Sequence, residues 1–278
     1  MRIVIPSAGL GSRFLPLTRA VPKELLLLGE WPLIHHALLE AEGAGFDSAI
    51  VVISPNKQAI RTYFEPAPQL ERELAEQGNL AALARLLETQ SIARRMQLTF
   101  IEQWTRGPGQ AVLLSHELTG EDTFAVLLPD DVVPSVDHWR ELQALSRETG
   151  APTLCVRKVP VAEAPRFGMA VCEPYGAHLR VRDLVEKPPA GHARSNLSIF
   201  GRYVVTRPVL DALADRLART TGELQLTEGY AALTDGARGV YAVEFSADSY
   251  DCGTPSEFAR ATTRYAAWSG AGRPAEVH

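Results

Sequence analysis

Residues 2–28 read RIVIPSAGLGSRFLPLTRAVPKELLLL, a short apolar strand that runs directly into a glycine turn. Gly9 and Gly11 would let backbone N–H groups approach a phosphate at the end of that strand. Arg13 and Lys23 follow in the same loop and could neutralise separate phosphate groups, the arginine through its planar fork and the lysine as a compact charge. The alternative interpretation is an ordinary turn whose two cations face solvent.

Two familiar glycine motifs do not match this stretch. A dinucleotide fingerprint needs a third glycine where Phe14 stands, and an acidic residue near Ser54 and Pro55 at the end of the second strand. A P-loop needs Gly-Lys-Ser/Thr at the start of a helix, which is absent here. The loop therefore points away from nicotinamide-dependent oxidoreductases and from P-loop enzymes.

The composition narrows the class of protein. The 278 residues carry a net charge of -5 without a dense run of Lys and Arg, which argues against a nucleic-acid or acidic-membrane surface. The three cysteines form no CxxC pair, so neither a disulfide framework nor a zinc site is indicated. The sequence passes from Met1 straight into a strand, and no run approaches membrane-spanning length. We therefore expect a cytoplasmic protein that binds no membrane.

Outward from the first strand, apolar strands and helices alternate as a parallel sheet requires. These strands are continuously apolar, which predicts a sheet covered on both faces. From about residue 151, several strands alternate instead between apolar and polar residues. We predict an α/β fold with a Rossmann-like mixed sheet flanked by helices, formed by one domain over residues 1–278. Residues 69–95 are expected to form one or two surface helices.

Polar residues follow several predicted strands, where ligands bind in such sheets. Asp130 and Asp131 end the run LLPDD and could hold Mg²⁺, or could cap a helix. Glu186 and Lys187 in LVEKPP would otherwise be a solvated pair. Gln103 could pair with a base edge, or could be an exposed strand end.

Five stretches together resemble the nucleotidyltransferases that join a nucleoside triphosphate to a sugar 1-phosphate. They are AGLGSRFLPLTRAVPKELLLL, LLPDDVVP, LVEKPP, SNLSIFGRYV and GELQLTE. The resemblance is strongest to the bacterial branch that uses UTP and glucose 1-phosphate, and it covers almost the whole chain in the same order. It implies the nucleotide-diphospho-sugar transferase type of fold, UTP and a sugar 1-phosphate as substrates, and a homo-oligomer (dimer or tetramer).

The resemblance also implies residue roles. In the nucleotide-binding half, residues 1–150, it implies nucleotide contacts by Ala8, Gly9, Gly11, Glu24, Gln103 and Gly107. In the second half, residues 151–278, which holds the sugar-binding part and the C-terminal helices, it implies catalytic Lys187, acting with Arg13 and Lys23. It implies sugar contacts by Asp131, Gly168, Glu186, Ile199 and Glu223. It implies Mg²⁺ on Asp130 and on Asp251, whose stretch YDCGTPSEF otherwise predicts only a turn into a C-terminal helix.

Three other functions stay open. A thymidylyltransferase that uses dTTP is disfavoured by Glu24, where that branch usually has glutamine. A uridylyltransferase for another sugar 1-phosphate stays open because discrimination between sugars depends on the shape of the pocket. A non-catalytic nucleotide-sugar sensor could keep the fold, although the acids and cations of the site are present in this sequence.

Overall fold

Apolar runs in the sequence become the strands of a central sheet, and the amphipathic segments between them become helices. The computed structural model describes residues 1–105, 107–219 and 221–270. The predicted domain boundary at residue 278 therefore lies outside the described residues. The strands are β1 (Arg2–Pro6), β2 (Leu27–Leu28), β3 (Trp31–Pro32), β4 (Ser48–Ile53), β5 (Thr99–Glu102), β6 (Phe124–Leu127), β7 (Asp131–Val132), β8 (Thr153–Lys158), β9 (Gly168–Tyr175), β10 (His178–Glu186), β11 (Leu197–Val205), β12 (Val240–Glu244) and β13 (Tyr250–Asp251).

The helices lie mainly in the connections between strands. They are α1 (Leu33–Gly43), α2 (Gln58–Phe64), α3 (Pro68–Glu76), α4 (Leu80–Arg95), α5 (Pro108–Thr119), α6 (Asp137–Thr149), α7 (Arg207–Leu217), α8 (Leu226–Ala231) and α9 (Pro255–Gly270). Short 3-10 helices cover Ser12–Phe14, Leu17–Arg19, Lys23–Leu25, Pro55–Lys57 and Val161–Arg166. The surface stretch 69–95 thus contains two helices, one of the two predicted alternatives.

The main sheet of the described residues has the strand order β5-β4-β1-β6-β11-β8-β12-β10-β9. In the first half, β1 pairs in parallel with β4 and β6, and β4 pairs in parallel with β5. In the second half, β11 runs antiparallel to both β6 and β8, while β12 is parallel to β8. The predicted mixed α/β sheet is confirmed. The carboxyl ends of β1, β4, β5 and β6 meet at one edge, so their loops converge there.

Both faces of the sheet are buried. Ile3 and Ile5 face a core with α1, α2, α4 and α6, whereas Val4 between them faces a core with α5, α7 and α8. Successive strand residues point to opposite faces, which is why a strand covered on both sides has to be apolar throughout.

A small ribbon beyond the main sheet differs from the sequence expectation. The stretch YDCGTPSEF was expected to be only a turn before a helix, but Tyr250–Asp251 forms β13, which pairs antiparallel with β7. Tyr250 is buried with Leu28, Leu33 and Val132 in a separate apolar cluster. This packing is long-range, so the local sequence did not reveal it. Among the described residues, every helix falls short of the length and hydropathy needed to cross a bilayer.

Two substitutions on α4 test how this helix packs against the sheet. Ile92 is fully buried against the first core, and we expect Ile92→Ala to lower the free energy of unfolding by about 2–5 kcal/mol. Leu80 on the same helix is 69% exposed, so Leu80→Ala should change it by less than about 0.5 kcal/mol. Urea denaturation followed by circular dichroism measures both. Equal effects would contradict the packing described for α4.

Candidate active site

A cavity of about 590 Å³ opens where the loops after β1, β5 and β6 meet the strands of the second half. Every site residue predicted from the sequence lines it, with the exception of Gly11. These lining residues are Ala8, Gly9, Arg13, Lys23, Glu24, Gln103, Gly107, Asp130, Asp131, Gly168, Glu186, Lys187, Ile199, Glu223 and Asp251. The fold thus brings together residues that lie far apart in the sequence.

The two glycines of the first loop have different structural settings. A Cβ added at Gly9 would meet no protein atom within 4 Å, so the bare backbone there faces open cavity. Gly11 has φ +64°, and the Thr18 hydroxyl donates to its carbonyl at 2.8 Å. The structure therefore gives Gly11 a part in the shape of the loop and leaves the backbone of Gly9 open to the cavity.

Lys23 reaches across the cavity to the acidic end of β6. Its ammonium forms a short hydrogen-bonded ion pair with the Asp130 carboxylate. Burial works against the charge of Lys23, but the carboxylates of Asp130 and Glu24 outweigh it and raise the lysine pKa. Lys23 is therefore a cation at neutral pH, as binding of a phosphate requires.

The ribbon of β7 and β13 assembles the acids. Asp131 lies opposite Asp251 in the strand register, and the Cys252 N–H donates to the Asp130 carbonyl at 2.8 Å. Carboxylates from two separate segments thus face one cavity, and hard oxygen donors of this kind fit Mg²⁺. The described residues contain no cluster of three or more His, Cys, Asp or Glu that could hold a metal. Substrate oxygens would have to complete the coordination, as is usual for Mg²⁺.

Two arginines that the sequence analysis missed hold the same acids. Arg157 lies 3.2 Å from Asp131 and 3.9 Å from Asp251, and Arg166 lies 3.1 Å from Asp251. Burial raises the pKa of Asp131 to about 6, while Arg157 opposes the shift and the charge of Asp251 adds to it. Asp131 and Asp251 are distant in sequence from both arginines, so the local sequence did not reveal these contacts.

On the opposite wall, residues from β9, β10, β11 and α8 converge around Glu186. Its carboxylate accepts a hydrogen bond from the Thr227 hydroxyl at 3.1 Å and lies 3.1 Å from the Lys187 ammonium. A Cβ at Gly168 would come within 2.9 Å of Glu186 and 3.0 Å of Ile199, so the glycine leaves room for both. Thr227 is a further site residue that the sequence analysis missed.

Lys187 has an unusual backbone conformation. Its φ is +45°, a left-handed value that is costly for a residue with a side chain. Its N–H donates to the Phe167 carbonyl at 3.0 Å, and two prolines follow it. The surrounding chain thus enforces a strained turn that directs the lysine into the cavity.

Gln103 and Gly107 form the remaining wall. Gln103 is buried, and its side-chain amide donates to the Gly107 carbonyl at 2.9 Å. Gly107 has φ +105°, and an added Cβ would lie 2.3 Å from the Leu224 carbonyl oxygen. A side chain is therefore excluded at Gly107 by the segment that carries Glu223.

Comparison of the sequence with known protein families identifies the family of this chain. The family model described as nucleotidyl transferase matches residues 2–267. The chain belongs to this family.

Relatives of this nucleotidyl transferase match over nearly their whole length. A Staphylococcus saprophyticus protein named UTP–glucose-1-phosphate uridylyltransferase 2 is 37% identical over 267 residues, covering 95% of this chain and 91% of the relative. The Bacillus subtilis UTP–glucose-1-phosphate uridylyltransferase is 36% identical over 270 residues, covering 95% and 90%. A solved structure described as a UTP-bound UGPase from Acinetobacter baumannii has 31% identity and a TM-score of 0.83, covering 99% of this chain and 94% of that chain.

A buried ion pair lies behind the acids of this nucleotidyl transferase. Arg202 donates to both carboxylate oxygens of Glu40 at 2.9 and 2.5 Å. It also donates to the carbonyls of Leu128 and Asp131 at 3.3 and 2.7 Å. Residues 128–131, here called the acidic loop, are therefore fastened at both ends by one guanidinium. Burial opposes the charge of Glu40, but Arg202 and a neighbouring histidine outweigh it and lower the pKa of the carboxyl group.

We predict that Arg202→Met strongly destabilises the protein. The substitution leaves the Glu40 carboxylate buried without its cation and should lower the free energy of unfolding by about 3–5 kcal/mol. Arg264, which pairs with Asp248 at the surface, is the matched control, and Arg264→Met should cost less than about 1 kcal/mol. Urea denaturation checks both variants. If Arg202→Met lowers the free energy of unfolding no more than Arg264→Met does, the buried pair is not needed for stability and the prediction is wrong.

Proposed function

We propose that this chain transfers the uridylyl group of UTP to α-D-glucose 1-phosphate, giving UDP-glucose and pyrophosphate. The observation that carries the proposal is one cavity that combines the glycine loop and its cations with the strand-end acids and the Glu186–Lys187 pair. Relatives named for this reaction match 95% of the chain. The thymidylyltransferase and the transferase for another sugar phosphate are its alternatives, and the nucleotide and sugar used in the assay separate them.

The two substrates would enter from opposite walls of the cavity. The backbone of Ala8 and the bare backbone of Gly9 suit close approach of the nucleotide, and Gln103 and Gly107 border the space for the base. Glu186 offers acceptors for sugar hydroxyls on the other side. This arrangement supports the proposal that residues 1–150 bind the nucleotide and residues 151–278 bind the sugar.

The chemistry needs positioning and charge stabilisation more than a protein nucleophile. A phosphate oxygen of the sugar phosphate forms a bond to the α-phosphorus of UTP. The bond from that phosphorus to the bridging oxygen of pyrophosphate breaks, and the electron pair leaves with pyrophosphate. Lys187 would hold the attacking phosphate, while Arg13 and Lys23 would stabilise charge on the departing group.

Asp130 and Asp251 are the residues that would hold Mg²⁺. A bound Mg²⁺ supplies charge neutralisation for the phosphate groups. The two carboxylates already lie beside cations, Asp130 beside Lys23 and Asp251 beside Arg166. We propose that these side chains share the task of balancing negative charge in the cavity.

The first test is pyrophosphate release with Mg²⁺ and glucose 1-phosphate, in parallel with UTP, dTTP, GTP, CTP and ATP. We expect release with UTP. Preference for dTTP would keep the mechanism and overturn the choice of base. If all five nucleotides give no release, the assay is repeated with UTP and other hexose 1-phosphates. Release there would overturn the choice of sugar, and silence throughout would favour the sensor.

Lys187→Ala tests the assignment of the sugar phosphate. Loss of one positioned cation should lower kcat about 100-fold to 1000-fold. Binding of UTP, measured by calorimetry, should stay nearly unchanged because Lys187 would contact the other substrate. Lys158→Ala is the control, since this exposed lysine pairs with Glu244 outside the cavity and its loss should leave kcat unchanged. Near wild-type kcat in Lys187→Ala would remove Lys187 from the mechanism.

Removal of the metal tests the carboxylates. We expect EDTA to abolish pyrophosphate release, excess Mg²⁺ to restore it, and Asp251→Asn to raise the Mg²⁺ concentration needed for half-maximal rate. Asp248→Asn changes a nearby acid that lies in an exposed pair with Arg264, and it should leave the Mg²⁺ dependence unchanged. An unaltered Mg²⁺ dependence in Asp251→Asn would rule out this ligand.

We also propose the homo-oligomer, a dimer or tetramer, that the family resemblance implies. Exposed leucines on α3 and α4 support it, namely Leu70 and Leu87. Light scattering measures the mass directly. The cytoplasmic location stays a prediction from the sequence.

A further inference from the structure

Lys57 is a buried lysine for which the proposed reaction has no use. It lies outside the lining of the cavity, and only 5% of its surface is exposed. Its ammonium donates to the Ser7 carbonyl at 2.9 Å and to the two Glu24 carboxylate oxygens at 2.9 and 2.7 Å. An ammonium group has three donors, so these acceptors account for all of them.

These acceptors lie at the two ends of one segment. Ser7 directly precedes Ala8, where the glycine turn begins, and Glu24 directly follows Lys23. Residues 8–23, here called the phosphate loop, contain short 3-10 helices and no strand. Lys57 therefore fixes the separation between the start of the phosphate loop and its end.

The cost of this arrangement argues against a role in stability alone. Burial lowers the pKa of Lys57, and Glu24 opposes that shift. Glu24 is 1% exposed, so both partners have lost most of their hydration. A buried ion pair often adds little to stability compared with apolar residues, whereas one partner left alone is strongly destabilising. We therefore look for the role of the pair in what it holds in place, which is the separation between the two ends of the phosphate loop.

We propose that Lys57 is a positioning residue for the nucleotide. By holding Ser7 and Glu24 together, it sets the distance between the backbone of Ala8 and Gly9 and the cation of Lys23. This inference rests on the proposed function, because it assumes that the phosphate loop receives a nucleoside triphosphate. A displacement of about 1 Å in such a site can cost on the order of 100-fold in rate.

The kinetic test begins with Lys57→Met. We expect the KM for UTP to rise about 10-fold or more, while the KM for glucose 1-phosphate changes little. Ile92→Ala, which removes buried apolar contacts on α4, is the control for reduced stability and should leave both KM values unchanged. An unchanged KM for UTP in Lys57→Met, or an equal rise in Ile92→Ala, would overturn the proposal.

A second comparison separates positioning from charge neutralisation. In Glu24→Gln, Lys57 can still donate to the Ser7 carbonyl, whereas in Lys57→Met/Glu24→Gln that hydrogen bond is lost without leaving a buried carboxylate. We expect the double variant to have a KM for UTP several-fold above that of Glu24→Gln. Equal KM values would mean that Lys57 only neutralises Glu24, which refutes the proposal. This comparison carries the test if Lys57→Met alone does not fold.

Hydrogen–deuterium exchange gives a readout that does not depend on the reaction. Without substrate, we expect amides of the phosphate loop to exchange faster in the double variant than in Glu24→Gln, with α6 unchanged. Wild-type protein that releases no pyrophosphate would refute the proposed function, yet this difference would still show the positioning by Lys57. Equal exchange in the loop would refute the positioning even if the enzyme is active.

Discussion

The carboxylate of Glu40 lies in the interior and accepts hydrogen bonds from Arg202 and from the Trp139 indole at 2.8 Å. The pair connects α1 with β11 and α6, and the remaining donors of Arg202 hold the main chain of the acidic loop. A charged pair is an expensive way to fill an apolar core. The charged pair is useful here because its hydrogen bonds are directional. A planar guanidinium can fix two carbonyls and a carboxylate at once, which an apolar side chain of the same size cannot do. The position of Asp130 and Asp131 depends on it.

The phosphate loop is held in a related way by Lys57. In both cases a buried cation donates hydrogen bonds to a carboxylate and also to main-chain carbonyls next to the site. The two loops so fixed then face each other, and Lys23 from one meets Asp130 from the other. Rigid support behind the loops is what a reaction by positioning requires, since its rate depends on the placement of groups.

The parts of the fold that the sequence predicted are those with local causes. Continuous apolar runs predicted strands that are covered on both faces, and the acidic residues after such runs predicted a site at the ends of the strands. The missed residues act through partners far along the chain: Lys57 lies 33 residues from Glu24, and Arg202 lies 162 residues from Glu40. A lysine or arginine that will be buried looks in the sequence like one that will be solvated. The same reasoning explains why Asp251 was assigned by family resemblance, while the strand that carries it was not predicted.

Electrostatics explains how a chain with a net charge of -5 can offer a site for polyanions. The cations of the cavity pair with its acids: Lys23 with Asp130, Lys187 with Glu186, and Arg166 with Asp251. Under the proposed function, a phosphate group at Lys23 or Lys187 would compete with the paired carboxylate. Mg²⁺ would then bind Asp130, and sugar hydroxyl groups would bind Glu186. Anion binding at each lysine would therefore be coupled to the binding of a different partner at its acid. On the proposed function, such coupling would favour the simultaneous presence of both substrates and the metal, without requiring a basic protein surface.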